Sequence, residues 1–261
     1  SLYVFTFISL ILFDLEYIPI LHGGNLPDRL ENSQKLSQSL FGNARVNIAP
    51  SRFLNDIFKS YGFQNTQIIP NAIRTDKYPF IKRKEFRPKL LWVRRFQKRY
   101  NPMMALQVLL KLKQKYPKAS LCMVGPEKDG TMAACKKLAE KHDLDVRFTG
   151  KLKKKHWAQL STNYDFFINT TSIDNTPISV IEAMSLGLAI VSTDVGGMPM
   201  LIDNNRDGIL VSEEDVDSMV NEIAEIIENP EKGKLLCLNA RQKVESFDWE
   251  AIKDDWNSVL K

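Results

Sequence analysis

The chain has 261 residues, 44% of them hydrophobic and 26% charged, with a formal net charge of +5. This is the composition of a soluble globular protein, long enough for one large or two modest domains that each bury a core. Cys122, Cys135 and Cys237 form an odd set without metal-like spacing, which fits a reducing compartment, and the scattered His22, His142 and His156 exclude a zinc cluster. Residues 82–99 carry nine basic side chains against the single Glu85, whereas residues 213–231 carry eight acids and no base. That asymmetry, without any nucleic-acid motif, argues against a uniformly basic binding face.

Residues 1–13, SLYVFTFISLILF, are apolar but end at Asp14, well short of the roughly 20 residues of a membrane span. They read as buried helix or strand, and they lack the charged start and small-residue cleavage site of a signal peptide. Opening on Ser and a core-like element, the chain is expected to continue a domain whose earlier part is absent. Residues 16–27, EYIPILHGGNLP, predict a strand leaving into a glycine turn, with His22, Gly23 and Gly24 at its carboxyl end, the ligand edge of an open α/β sheet. Residues 45–61 predict a short strand, a cap at Ser51 and a helix; residues 67–73, QIIPNAI, predict a further strand ending in Pro70 and Asn71. Residues 75–89, charged and containing Pro79 and Pro88, are the expected linker.

Beyond this point, apolar runs at 90–93, 121–124, 146–148, 166–168, 189–191 and 209–211 alternate with helical stretches, the first at 102–116. Short buried strands separated by helices imply a parallel sheet covered on both faces. Amphipathic helices are expected at 215–228, 231–247 and 248–260. The predicted division is residues 1–78, a partial N-terminal domain; 79–247, a nucleotide-binding type of domain; and 248–261, a C-terminal helix.

The chemistry concentrates in residues 171–197, TSIDNTPISVIEAMSLGLAIVSTDVGG. Thr176 is a good N-cap, Pro177 suits the first helical position, and Gly187 can end the helix in a left-handed conformation. Asp174 then lies just before the helix, and Glu182 lies within it as the only ionisable residue between Asp174 and Asp194. A carboxylate in so apolar a helix needs hydrogen-bond donors from the protein or from a ligand. The free N–H groups at the same helix start favour an anion. The first strand of the second domain runs into Arg94, Arg95, Lys98 and Arg99, cations suited to phosphate. Gly125 and Gly150 follow the next two strands, where backbone can approach a nucleotide. The lysines of 151–155 read mainly as solvated surface. Asp143 with Asp145 and Asp215 with Asp217 resemble metal-holding pairs, but capping explains the second and no catalytic metal is expected.

These residues resemble the donor-binding signature of family 4 of the retaining glycosyltransferases, the two-domain GT-B type. The family usually has Glu at the first acidic position, a Gly-x-Pro-like turn, then Glu-Ala-Met, a small residue and Gly. Here these read Asp174, Asn175-Thr176-Pro177 and the run from Glu182 to Gly187. The family's Gly-Arg falls on Arg94 and Arg95, its Lys-Gly on Tyr100 and Asn101, so that Lys98 stands in for the displaced lysine; its Pro-Asn-Gly turn falls on Pro70, Asn71 and Ala72. The resemblance implies an α/β fold of two Rossmann-type domains, the C-terminal one complete and the N-terminal one truncated, with the last helix returning to the first domain. It implies transfer of a sugar from a nucleotide diphosphate to an acceptor hydroxyl with retention, in polysaccharide or glycoconjugate synthesis, without a permanently bound cofactor. Arg94, Arg95 and Lys98 would hold the diphosphate, Glu182 the ribose, Asp174 with the backbone of Thr176, Pro177 and Ile178 the sugar, and His22 the reacting face. Gly125 and Gly150 complete the expected nucleotide contacts, and His22, Asp174 and Glu182 the expected catalytic set. A cytoplasmic location follows, with a glycan or lipid-linked acceptor, contact with the inner face of the membrane left open, and no nucleic acid. Two alternatives stand beside it: a nucleotide-sugar-binding fragment without turnover, and a nucleotide-sugar epimerase of similar fold. A dinucleotide oxidoreductase is disfavoured because no G-x-G-x-x-G follows a strand.

Overall fold

The computed structural model describes residues 15–22 and 26–261. The apolar segment 1–13 and the turn glycines Gly23 and Gly24 lie outside the described residues. Two compact units form: the first takes in the described residues up to Asn71 together with Ile252–Lys261, the second Ala72–Ala251.

In the first unit, β1 (Asn47–Ala49) and β2 (Thr66–Ile68) pair in parallel. Of the expected strand and turn at 16–27, the described residues 16–22 form one bridge, between Ile20 and Ile48. Pro19 gives its carbonyl to Ile48 N–H at 2.8 Å but has no N–H to extend the ladder. Ser51 caps the Arg52–Ser60 helix as expected, its hydroxyl accepting from Leu54 N–H at 3.3 Å. Phe41, Phe58 and Phe63 pack together with Leu21, Leu30 and Leu54. Ile252 and Val259 of the last segment close over Ile48 and Ile69.

The second unit is a six-stranded sheet of β3 (Lys89–Val93), β4 (Ser120–Val124), β5 (Val146–Gly150), β6 (Phe166–Asn169), β7 (Ala189–Thr193) and β8 (Ile209–Val211), one for each predicted run. All neighbours are parallel, in the order β5-β4-β3-β6-β7-β8. Successive strand residues serve opposite faces. Leu90, Trp92, Leu121, Met123, Phe166 and Val191 join one core with the Pro102–Lys115 and Val216–Glu228 helices. Leu91, Cys122, Phe167 and Ile190 join the other with Trp157, Val180, Ile181 and Ala240. Both faces are therefore covered, which is why the strands read as unbroken apolar runs. β3 and β6 are neighbours from which the two halves of the sheet diverge, so the chain reverses direction of travel there. Loops after β3 and β6 meet at this switch point, the usual ligand crevice of such sheets.

Residues 75–89 differ from the expected linker, for they are packed into the second unit. Arg83 is 8% exposed and Tyr78 5%. Arg83 donates to the carbonyls of Tyr164 at 2.8 Å, Ile81 at 3.2 Å, Ser161 at 3.3 Å and Leu186 at 3.3 Å, reaches Gly187 O as well, and pairs with buried Asp165. Charged residues that look solvated in sequence are here tied down by buried carbonyls. Farther back, Ile73 N–H bonds Phe247 O at 2.9 Å and Trp249 N–H bonds Ile73 O at 3.0 Å.

Candidate functional site: the β3 and β6 strand ends

The Ile178–Ser185 helix opens one residue later than expected. Pro177 occupies the cap position with extended backbone (φ −68°, ψ 117°), and no side chain caps the helix, so Thr176 is not its N-cap. The Pro177 carbonyl accepts from Val180 N–H at 3.0 Å and Ile181 N–H at 3.3 Å, which closes the first turn without Thr176. Gly187 follows with φ +74°, as expected.

Asp174 is held on both sides of its peptide. Its carbonyl accepts from Gly197 N–H at 2.8 Å, and its side chain from Asn175 N–H at 2.9 Å. A Cβ on Gly196 would stand 2.2 Å from the Asp174 carbonyl oxygen, so only glycine lets the loop after β7 come this close. Across the switch point, the Arg94 guanidinium pairs with the Asp174 carboxylate; both side chains are less than one-fifth exposed. Two of the positions at which this sequence departs from the resembled pattern, Arg for Gly and Asp for Glu, thus touch each other.

Arg94, Arg95 and Arg99 surround the Tyr100 ring, with guanidinium carbons 5.0, 5.8 and 5.9 Å from its centroid. Arg95 also donates to the Tyr100 hydroxyl at 3.3 Å. Burial opposes ionisation of that phenol, but the Arg95 hydrogen bond and the three positive charges together bring it below its ordinary pKa. Arg95 and Lys98 are exposed. Lys98 lines a cavity of about 520 Å³ with Arg99, Asn101, Asp129, Ser172 and Glu214.

Glu182 is 3% exposed. Its Oε1 accepts from the Tyr78 hydroxyl at 2.5 Å and lies 2.8 Å from Lys154 Nζ. Burial first, then the hydrogen bond and charge of Glu182, push the Tyr78 phenol well above its usual range and keep it a donor. The acid pair of the sequence is therefore divided: Asp174 has Arg94 as counter-charge, and Glu182 has Lys154.

Gly125 follows β4 with φ +156°, and a Cβ there would lie 1.6 Å from the Arg94 carbonyl oxygen. Gly150 ends β5, and its carbonyl accepts from Gly125 N–H at 2.9 Å. His22 belongs to the first unit, where it is exposed. Among the described residues no group of three or more His, Cys, Asp or Glu side chains is placed to hold a metal ion, and no helix is long and apolar enough to cross a membrane. Asp215 caps the Val216–Glu228 helix by accepting from Ser218 N–H at 2.9 Å. The three cysteines are buried thiols; burial pushes Cys135 and Cys237 up to about 12, which leaves neither a nucleophile.

Residues 74–243, most of the second unit, match the family described as Glycosyl transferases group 1. The chain belongs to this family. As a member of it, the chain is 28% identical over 157 residues to a sulfoquinovosyl transferase of Arabidopsis thaliana, covering 56% of this chain and 29% of that one. It is 24% identical over 200 residues to a glycogen synthase of Mycobacterium tuberculosis, covering 73% and 47%. The chain thus spans less than half the length of these two relatives. Its fold is that of the GT-B glycosyltransferases. The crystal structure of Anabaena HepE in complex with UDP-glucose superposes with a TM-score of 0.86 at 18% identity, covering 98% of this chain and 75% of that one. Sucrose-phosphate synthase from Thermosynechococcus elongatus gives 0.79 at 19% identity, covering 94% and 67%.

For this glycosyltransferase-family chain, sequence reasoning missed Tyr78 and Lys154. Lys154 sits in a lysine run that reads as solvated, and Tyr78 in a segment that reads as linker. The one available signal was negative: a carboxylate alone in an apolar helix must be met by donors from elsewhere in the chain.

Proposed function

We propose that the chain is the donor-binding portion of a glycosyltransferase that moves a sugar from a nucleoside diphosphate to an acceptor hydroxyl with retention. The observation that carries this reading is Glu182, a buried carboxylate in an apolar helix that opens from the switch-point crevice. After β3, Arg94 held by Asp174 and the exposed Arg95 and Lys98 supply charge for a diphosphate and for the negative charge that develops as it leaves. In this reading Glu182 accepts from ribose hydroxyls, Asp174 and the backbone of Thr176–Ile178 meet the sugar, and the departing phosphate takes the proton of the attacking hydroxyl. No protein nucleophile or metal is needed for that step. The complexes of HepE with UDP and with UDP-glucose favour a uridine nucleotide as donor. The acceptor belongs to glycan or glycolipid chemistry, as the names of the relatives suggest.

Glu182→Gln keeps the shape while turning one acceptor into a donor. UDP affinity by calorimetry should fall about tenfold or more, the scale of a charge-assisted hydrogen bond. Unchanged affinity would remove the central assignment. Arg95→Ala is expected to weaken UDP about tenfold while leaving uridine almost unaffected, because the guanidinium acts on phosphate. Equal weakening of both would show that Arg95 shapes the site without binding phosphate.

A further inference from the structure

We propose that Tyr78 is the positioning residue that aims Glu182, and that it thereby sets the preference of the site for a ribonucleoside diphosphate over its 2′,3′-dideoxy counterpart. The proposal rests on the reading that Glu182 holds the ribose. Glu182 lies in a helix whose Val180, Ile181, Ala183 and Met184 are buried in the apolar core, and at 3% exposure only specific donors fix its rotamer. Among the described residues two donors reach it, and both converge on Oε1. Neither engages Oε2, the oxygen that the proposal gives to the ribose hydroxyls.

The two donors are not equivalent. The Lys154 side chain is 68% exposed, a flexible cation in water whose pairing contributes little to fixing geometry. Tyr78 is buried and fixed at both ends. Its ring packs beside Trp157 at 6.5 Å, on the same Lys154–Leu160 helix that carries Lys154. Its carbonyl accepts from Arg241 at 3.0 Å and from the Ser185 hydroxyl at 3.3 Å, and Ser185 stands one turn beyond Glu182 on the Ile178–Ser185 helix. Arg241 also donates to the Ser185 carbonyl at 3.0 Å, which ties the Tyr78 backbone to the end of the helix that Tyr78 aims. The phenol is therefore held in one place relative to Glu182, and as a neutral donor it orients the carboxylate without cancelling its charge.

The test compares UDP with 2′,3′-dideoxyuridine diphosphate by calorimetry on the 261-residue chain and its Tyr78→Phe, Lys154→Ala and Glu182→Gln variants. The unaltered chain should prefer UDP by about tenfold. Tyr78→Phe, which keeps the ring against Trp157, should narrow that ratio to roughly two- to threefold by weakening UDP alone, with the dideoxy affinity unchanged. Lys154→Ala should keep most of the preference. A Tyr78→Phe chain that retains the full preference, or that loses both nucleotides equally, overturns the positioning role; if Glu182→Gln still abolishes the preference, the Glu182 reading survives that failure. An unaltered chain that does not bind UDP, or does not prefer it, overturns the Glu182 reading and this proposal with it. Should Tyr78→Phe fail to fold, Arg241→Gln, which loosens the Tyr78 backbone without touching the phenol, is judged by the same ratio and the same outcomes.

Discussion

Replacement of Arg83 by alanine is expected to lower the unfolding free energy by about 3–5 kcal/mol, the range seen when one partner of a buried ion pair is removed. The Arg83 side chain is 5% exposed and serves the carbonyls of Tyr164, Ile81, Ser161, Leu186 and Gly187 as well as Asp165. Without it these oxygens lose a donor in a place that water reaches poorly, and each buried group left unsatisfied costs about 1–3 kcal/mol. Arg87 pairs with the same carboxylate, but its side chain is 46% exposed. Arg87→Ala should therefore cost only about 1 kcal/mol. Urea unfolding of the two variants tests the contrast; equal losses would show that the Arg83 carbonyl network contributes nothing. Because the segment anchored by Arg83 also carries Tyr78, the Arg83 variant should bind UDP more weakly even under conditions where it remains folded.

Gly125→Ala is expected to damage stability and nucleotide binding together. A Cβ at 1.6 Å from a backbone oxygen is far inside contact distance, and the oxygen belongs to Arg94, so no flexible side chain can yield. The ends of β3 and β4 would have to separate, straining the bonds from Arg94 N–H to Val124 O at 3.0 Å and from Gly125 N–H to Gly150 O at 2.9 Å. A loss of about 2–4 kcal/mol is expected, overpacking combined with φ strain at a position that only glycine adopts freely. Displacing the Arg94 peptide also moves its guanidinium away from Asp174, so UDP binding should fall by more than in Arg95→Ala. Gly150, whose added Cβ would meet nothing within 4 Å, is the control: its alanine variant carries φ strain alone and should lose only about 1 kcal/mol. Similar losses at both glycines would remove the crowding argument.

The second unit was legible from sequence because its signals are local. Leu90, Leu91 and Trp92 are apolar in succession, as a strand covered on both faces requires, and Gly187 and Asp215 mark helix ends where they occur. Asn101 takes φ 42° at the start of the Pro102–Lys115 helix, and its side chain accepts from Met104 N–H at 3.2 Å. The exceptions had local causes too. Pro19, without an N–H, cut short the expected first strand, and the extended ψ of 117° at Pro177 starts the functional helix one residue late.

By itself the sequence determined the alternation of strands and helices, the placing of Asp174 before a helix and Glu182 inside it, and the demand that so isolated a carboxylate find donors. These follow from periods of two and 3.6 residues and from the cost of burying an unpaired charge, which act within one element. Only the tertiary structure decided which groups answer the demand. Tyr78 is 104 positions from Glu182, and Arg94 is 80 positions from Asp174. Such pairs are set by the β5-β4-β3-β6-β7-β8 order, which puts the ends of β3 and β6 side by side, and by the burial of Arg83, which draws a charged, linker-like segment onto the helix that carries Glu182. Neither leaves a periodic trace in the chain, because each is a contact between elements whose own patterns would be the same with another partner.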